Sequence, residues 1–457
     1  MFHSKNKSVA DMSLEDISKY IREHLPIRTE EKDKFGEVFT PIHLIDEILD
    51  ALPNHVWSDP KLKWLDPAAG VGNFGLLVYY RLMNGLKSKI PNSKKRSKHI
   101  LENMLYQVEL NPQNAQKIKH LFGKNIFEGS FLEDINGKTH KVNSDMLKHF
   151  GVDKFDVIMG NPPYQRSMES HHKKGTNAGR QTLWDKFILA GFDVLNPDGY
   201  LAYITPNSWR GLGRLGHLWK IMSEKTVLYL HIYGMKSGIQ EFGASTRFDL
   251  FVIQNKDAHK DSNSTLVIDE LGNRHDIELS QWPFFPNYAY KEIKNILTTP
   301  DKGFKVIYDT SYHTQHTNEM SPRKDKKFRY PVVHSITKEG LGFWYTDNKK
   351  GIDGHFGTPK VLLNFNQFQY PYNDYKGEYG MSQLTFGLPI KSRSEGDALV
   401  KALDSETFKI IVKATKWGVF QTDWRMFKYF KPDFYKKYNK TLKRKSPKKK
   451  NKTRRKY

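Results

Sequence analysis

The sequence predicts an α/β domain followed by a smaller α+β domain, and three observations carry that prediction. From about residue 38 to residue 256, apolar strand-like runs alternate with amphipathic helical stretches. One of those runs, 62–66, passes straight into the glycine-rich stretch Pro67–Phe74 and then an apolar helix, which is how a nucleotide-type βαβ unit opens. At 257–265 (DAHKDSNST) the composition turns polar. The segments from 266 to 430 are short, aromatic and β-biased, with helices expected near 289–298 and 394–416.

Charge and cysteine usage narrow the function classes. The 457 residues carry 73 Lys+Arg against 50 Asp+Glu, a net charge of +23, which points to a polyanionic partner. Residues 431–457 hold 14 Lys/Arg and one Asp; this low-complexity tail is expected to be disordered, and the body remains basic without it. Cysteine is absent, which excludes disulfides, zinc–cysteine sites and thiol catalysis. No apolar run approaches the ~18 residues of a membrane span, and the N-terminus lacks a secretory apolar core. A soluble intracellular protein is therefore expected, with the basic tail also readable as a nuclear-type signal.

Taken in order, residues 1–34 form an expected helical extension, with Leu14, Ile17, Ile21 and Leu25 at helical spacing behind Ser13 and Asp16. A second amphipathic helix follows Phe39-Thr40-Pro41 and carries Ile42, Leu44, Ile45, Ile48 and Leu49, with Pro41 in its first turn. After the strand at 62–66 and its turn, 86–99 is a basic run read as a loop. Further strands are expected at 104–109, ending in Glu109, at 126–132 with a turn, and at 155–160. The polar stretch 165–182 is read as a mobile loop, and the adjacent His171 and His172 would diverge in helix or strand, so no metal site is expected. A helix near 183–196, a turn at Pro197–Gly199, a strand at 200–206, a helix at 214–225, a strand at 226–233, a polar turn at 240–247 and a strand at 248–253 complete the first domain.

The chemistry concentrates at Asn161-Pro162-Pro163-Tyr164, which follows the fourth strand. In open α/β sheets the carboxyl ends of strands are where ligands bind. Two prolines stiffen the backbone and remove two N–H donors, leaving carbonyls to accept from something else. A side-chain amide oxygen, a rigid carbonyl and a flat ring within four residues suit a planar group that carries an NH2. The two glycines at 70 and 72 let the backbone approach a ligand closely. Glu109, at a strand end, can accept from two ribose hydroxyls.

This ordered set resembles the S-adenosylmethionine-dependent amino-methyltransferases of the N6-adenine DNA class, in their γ-type motif order. Phe39-Thr40-Pro41 is similar to the family's FTP element, Asp66–Phe74 (DPAAGVGNF) to its DPACGSGNF-like motif, and Asn161–Tyr164 matches its catalytic NPPY; Phe242-Gly243 looks like the aromatic motif near the catalytic domain's end. The resemblance implies a Rossmann-like methyltransferase domain at 35–256, with a mostly parallel doubly wound sheet, and a target-recognition domain at 266–430. It also implies roles. Asn161, Pro162, Pro163 and Tyr164 are catalytic; Tyr164 and Phe242 stack on the substrate base. Thr40 and Pro41 hold the cofactor's methionine carboxylate, Asp66 and the backbone at Ala68, Gly70 and Gly72 its amino-acid part, and Glu109 its ribose, with Asn161 alongside. One departure stands out: Ser130-Phe131-Leu132 occupies a position where the family often carries Asp, so Ser130 would meet the cofactor's adenine as a neutral acceptor, with Phe131 on the ring and weaker binding expected.

The resemblance further implies methyl transfer to N6 of a flipped-out adenine in double-stranded DNA, without a metal. The protein would then be the modification component of a restriction–modification-type system, with a separately encoded endonuclease as a partner, or an orphan methyltransferase. Candidates for sequence readout are Arg323, Lys324, Lys326, Lys327, Lys416, Trp417, Gln421 and Arg425. The same motif also suits an amino group of RNA or the carboxamide of a protein glutamine. A catalytically silent nucleic-acid-binding protein on this fold is a third reading.

Overall fold

The computed structural model describes residues 8–12, 16, 40–134, 139–165, 182–258, 264–350, 353–365, 368–418 and 422–438. The chain divides into two compact units, Met1–Tyr288 with Trp417–Val419, and Ala289–Lys416 with Phe420–Tyr457.

The first unit is built on nine strands: β1 (Trp64–Asp66), β2 (Leu105–Glu109), β3 (Ile126–Glu128), β4 (Phe155–Gly160), β5 (Leu195–Pro206), β6 (Lys225–Tyr233), β7 (Phe248–Asp257), β8 (Thr265–Ile268) and β9 (Arg274–Ile277). They pair in the order β3-β2-β1-β4-β5-β7-β6-β8-β9. The run β3 to β5 is parallel, and β7 lies antiparallel between β5 and β6. β1 is fully buried and β4 nearly so, as parallel strands covered on both faces must be. The chain leaves β1 toward β2 and β3 on one side and returns to β4 on the other. This reversal opens a crevice beyond the carboxyl ends of β1 and β4, where doubly wound sheets bind ligands.

Eight helices pack around this sheet among the described residues: α1 (Ile42–Asp50), α2 (Asn73–Gly85), α3 (Ser93–His99), α4 (Pro112–Phe122), α5 (Ser144–Phe150), α6 (Trp184–Val194), α7 (Gly216–Ser223) and α8 (Met235–Phe242). The α1 residues Leu44, Ile45, Ile48 and Leu49 join α2 and the strands β1, β4, β5 and β7 in one core. Pro41 stands just before α1 and not, as expected, within its first turn; its carbonyl accepts from the N–H groups of Leu44 and Ile45.

Three stretches differ from the sequence reading. The basic run read as a loop contains α3, because Asn92 caps it by accepting from the Lys95 N–H at 2.9 Å. Its inward side chains are held by polar contacts: Tyr79 donates to Ser97 at 2.7 Å, and Arg96 donates to the carbonyl of Ile90. The stretch expected as a polar turn at 240–247 begins with the last turn of α8, and Gly243 ends the helix in the left-handed region at φ 61°. β8 and β9, which fall in the stretch assigned to the second domain, are hydrogen-bonded into the large sheet beyond β6.

The second unit holds a four-stranded sheet (Met320–Ser321, Tyr330–Thr337, Gly340–Thr346, Gly380–Met381) and a three-stranded sheet (Lys360–Asn364, Tyr372–Asp374, Thr385–Pro389). Its helices are Tyr290–Lys294, Arg393–Leu403 and Glu406–Ala414, the last capped by Ser405. Phe39, most of the expected N-terminal helix, the stretch 166–181 with His171 and His172, Gln421 and the basic tail beyond 438 lie outside the described residues.

Candidate active site

The crevice at the β1/β4 reversal gathers most of the residues the sequence singles out. Asp66 ends β1 and is fully buried. Its Oδ1 accepts the Ala68 N–H at 3.1 Å, while its Oδ2 is buried with no hydrogen-bond partner among the described residues. Burial pushes this carboxyl up to about 8; the Ala68 N–H pulls against that rise and the charge of Glu109 adds to it. The backbone then turns through Gly70 (φ 57°) and Gly72 (φ 90°) into α2. At Gly72 a Cβ would lie 2.9 Å from both Ile118 and Phe122, so the turn is packed on its inner side. At Gly70 a Cβ would meet nothing within 4 Å, which leaves open space over that backbone.

Glu109 ends β2 as expected. Its Oε2 accepts the Gly70 N–H and its Oε1 the Asn111 N–H, both at 2.7 Å. These two bonds fix the carboxylate between the glycine-rich turn and the start of α4. A buried carboxyl oxygen without a partner among the described residues, an open glycine backbone and this carboxylate fit a nucleoside that carries an ammonium group. The buried Asn73 Oδ1, also without a partner among the described residues, adds one more acceptor at the start of α2.

Asn161 leaves β4 immediately after Gly160. At Gly160 the φ is 155° and a Cβ would lie 3.0 Å from Asp66 Oδ1, so only glycine lets β4 end this close to β1. The Asn161 amide donates through Nδ2 to Thr40 Oγ1 at 3.0 Å. Its Oδ1 is buried and has no hydrogen-bond partner among the described residues. A buried carbonyl left unpaired is costly, about 1–3 kcal/mol, and an incoming N–H donor relieves that cost. Thr40 and Pro41, expected at a cofactor carboxylate, thus sit beside the NPPY motif, with Thr40 bonded to Asn161.

Tyr164 follows at the edge of the same site. Its ring meets Phe242 edge-on at 6.5 Å and 76°, and Phe242 in turn packs on Phe248. The Tyr164 hydroxyl is buried without a partner among the described residues; burial, and then the charge of Asp249, raises its pKa, so it stays a neutral donor. Phe242 is itself 97% covered, packed into the core. Ser130 accepts the Leu132 N–H through Oγ at 3.1 Å, and Phe131 is buried against Phe187 at 5.3 Å.

Several groups at this edge escaped the sequence reading. Arg210 and Asp249 form a fully buried bidentate ion pair, at 2.7 and 3.0 Å. The remaining guanidinium N–H groups reach the carbonyls of Phe285 and Pro286 and Asn287 Oδ1. Thr205 Oγ1 and Asn207 Nδ2, at the end of β5, are buried without partners among the described residues. Gly160, the last residue of β4, pairs with Tyr203, so β5 runs three residues past the end of β4, through Thr205 to Pro206. A charged Asp249 inside the apolar run Phe248–Ile253 was the available signal for a buried partner.

Of the readout candidates, Arg323, Lys324, Lys326 and Lys327 are exposed in the second unit, and Arg425 is exposed and bonded to Asp423. Trp417 is corrected. Its indole is 7% exposed, donates to the Phe285 carbonyl at 2.8 Å and packs against Gly211, so it is core material of the first unit.

Residues 79–237 match the family model described as Eco57I restriction-modification methylase. An uncharacterized adenine-specific methylase of Mycoplasma pneumoniae is 30% identical over 38% of this chain and 55% of its own length. The type II restriction enzyme and methyltransferase RM.Eco57I of Escherichia coli is 23% identical over 56% of this chain and 23% of its own. The chain therefore spans about half the length of the first of these relatives and about a quarter of the second. Among solved structures, the type IIL restriction-modification enzyme MmeI in complex with DNA aligns with a TM-score of 0.43 at 15% identity, over 83% of this chain and 65% of its own. The matched segment, 79–237, carries β2 to β6 and the NPPY motif, and is similar to the Eco57I restriction-modification methylases.

Proposed function

We propose that the protein is a site-specific DNA methyltransferase that moves a methyl group from S-adenosylmethionine to N6 of a flipped-out adenine. The observation that carries this reading is the buried, unpartnered Asn161 Oδ1 at the end of β4, beside the glycine-rich turn and the unpartnered Asp66 Oδ2. The first is an acceptor waiting for an N–H; the second belongs to a buried carboxyl that a bound cation would ionise.

The residues present fit the cofactor. Asp66 takes the ammonium of its methionine part, the open backbone at Gly70 accommodates its approach, and Glu109 accepts from the ribose hydroxyls. When bound, the cofactor supplies a methyl group on a positive sulfonium, already activated for displacement. The protein's task is to make the amino nitrogen nucleophilic, because its lone pair is delocalised into the base. Asn161 Oδ1 accepts one N6–H and the Pro162 carbonyl the other, which favours a tetrahedral nitrogen and localises the lone pair. Neither group needs to be a strong base, since the proton leaves only after the nitrogen becomes cationic. Placement supplies much of the remaining acceleration.

In duplex DNA the amino group is engaged in pairing, so the base has to be extruded at a cost of a few kcal/mol. Stacking on Tyr164 offsets part of this, at about 1–3 kcal/mol per base. The exposed lysines and arginine at 323–327, in the second unit, are offered as phosphate and base contacts, and the basic tail as nonspecific attraction that salt weakens. The protein is the modification component of a restriction–modification-type system in this reading.

Transfer of labelled methyl from S-adenosylmethionine to unmethylated genomic DNA, total RNA and a glutamine-bearing protein extract separates the acceptors. Label in DNA, recovered as N6-methyladenine, is the expected result. Label confined to RNA or protein would overturn the DNA reading while keeping the NPPY chemistry.

A further inference from the structure

The sequence gives Thr40 no role beyond a cofactor contact, yet its hydroxyl is the group bonded to the proposed catalytic amide. An asparagine amide has two ends of similar shape and opposite polarity. With Nδ2 on Thr40, the acceptor Oδ1 is left for the substrate amino group. Turned by 180°, the amide would present an NH2 to an NH2, and no hydrogen bond could form. A threonine hydroxyl can serve either end, so it holds the amide plane in place, and the substrate's own donors select the productive orientation. Without that hydroxyl the amide plane is free to rotate, and the Nδ2 hydrogen loses its partner.

Thr40 is itself fixed from several sides. It lies two residues before α1, whose apolar face is buried. Glu47, on the same helix, accepts hydrogen bonds from Tyr229 at 2.7 Å, from Tyr233 at 2.5 Å and from His231 at 2.5 Å, all on β6. Arg81 of α2 ties down Asp46 and Asp50 at 2.8 and 2.7 Å. The helix cannot slide without breaking these contacts, so the hydroxyl is delivered to Asn161 by an element anchored at both faces.

We propose that Thr40 is a positioning residue for catalysis, holding the plane of the Asn161 amide in place so that its far end, Oδ1 in the productive orientation, meets the substrate amino group. This rests on the methyltransferase reading above. The test uses the full chain and three variants: Thr40→Val, which keeps the shape and removes the hydroxyl, Thr40→Ser, which restores it, and Asn161→Ala. Methyl transfer to genomic DNA from a methylation-free host gives kcat and KM, and equilibrium binding gives S-adenosylmethionine affinity separately. Thr40→Val is expected to lower kcat about ten- to hundredfold, the scale of a small misplacement at a reacting centre, with cofactor affinity unchanged. Thr40→Ser is expected within a few-fold of wild type. Adding Thr40→Val to Asn161→Ala is expected to cost little more, because both act through one amide.

A proportionate loss of cofactor affinity in Thr40→Val, with the rate restored at saturating cofactor, would overturn the proposal and make Thr40 a cofactor ligand. So would independent, multiplying effects of the two substitutions. Asparagine-selective NMR gives a readout that needs no turnover. The Asn161 Nδ2 protons, identified by their loss in Asn161→Ala, are expected to include one held in a hydrogen bond and slow to exchange in wild type and Thr40→Ser but not in Thr40→Val. If the wild type methylates no acceptor, the function reading fails, and the NMR signal still decides whether Thr40 holds the amide. Identical signals in wild type and Thr40→Val refute it.

Discussion

Asp66 makes the sharpest quantitative prediction. Its carboxyl is pushed up from an ordinary value near 3.8 to about 8, chiefly by complete burial. Between those two values the folded protein holds a proton that the unfolded chain has released, so stability falls as pH rises through that window. Each pH unit corresponds to about 1.4 kcal/mol, so between pH 5 and pH 8 the wild type loses about 3 to 4 kcal/mol from this one group. Asp66→Asn keeps the oxygen that accepts from Ala68 and does not titrate. Other titrating groups are common to both chains and largely cancel in the difference. Urea unfolding of both proteins at pH 5, 6, 7 and 8 should therefore show a gap that widens with pH in favour of Asp66→Asn. The same substitution should abolish tight S-adenosylmethionine binding, because an amide cannot give up a proton to form an ion pair with the ammonium, as the Asp66 carboxyl can. Parallel stability curves would refute the reasoning, since they would mean that Asp66 is ionised and satisfied in the folded protein.

Three further outcomes follow from the same geometry. Gly160→Ala places a Cβ 3.0 Å from Asp66 Oδ1 at a φ of 155°, and should reduce methyl transfer by about a hundredfold while far-ultraviolet circular dichroism stays unchanged. Arg210→Met strands the buried Asp249 carboxylate and should cost about 3–5 kcal/mol in urea unfolding; adding Asp249→Leu should recover most of it. Deleting residues 440–457, which carry 11 Lys/Arg and no acidic residue, should lower the slope of log K against log salt in DNA binding, with S-adenosylmethionine affinity unaffected.

Much of the first unit was legible because its signals are local. The run from Trp64 to Phe74 names a strand, a turn and a helix in one breath, and Phe155–Tyr164 names a buried strand and its polar end. The helix Ser93–His99 was hidden because it has no apolar periodicity; its stability comes from the Asn92 cap and from buried polar contacts at Arg96 and Ser97. The last turn of the helix at 235–242 was hidden by the glycine and polar residues that follow it, although Gly243 is the residue that stops it.

Within the candidate site, the residues that would touch a ligand could be named from the sequence, and those that hold them could not. Thr40 and Asn161 are 121 positions apart, Glu47 and its three β6 partners between 182 and 186, Arg210 and Asp249 39. Pairings at such distances are decided by sheet order, and the order β1-β4-β5-β7-β6 brings them together only after the chain has folded. Trp417 illustrates the converse: an aromatic beside a lysine reads as a nucleic-acid contact until its indole is found buried against Gly211 and Phe285.

Adenine methylation by this chain is tested most directly in a host whose DNA carries no methylated adenine. The protein and its Asn161→Ala variant are expressed there at equal levels, and the nucleosides of the host DNA are measured by mass spectrometry. N6-methyladenine that accumulates with the wild type and is absent with Asn161→Ala is the predicted result, and mapping the modified positions yields the target site. Equal N6-methyladenine in both strains, or none in either although both proteins bind S-adenosylmethionine, would contradict the role assigned to the Asn161 amide in DNA methylation.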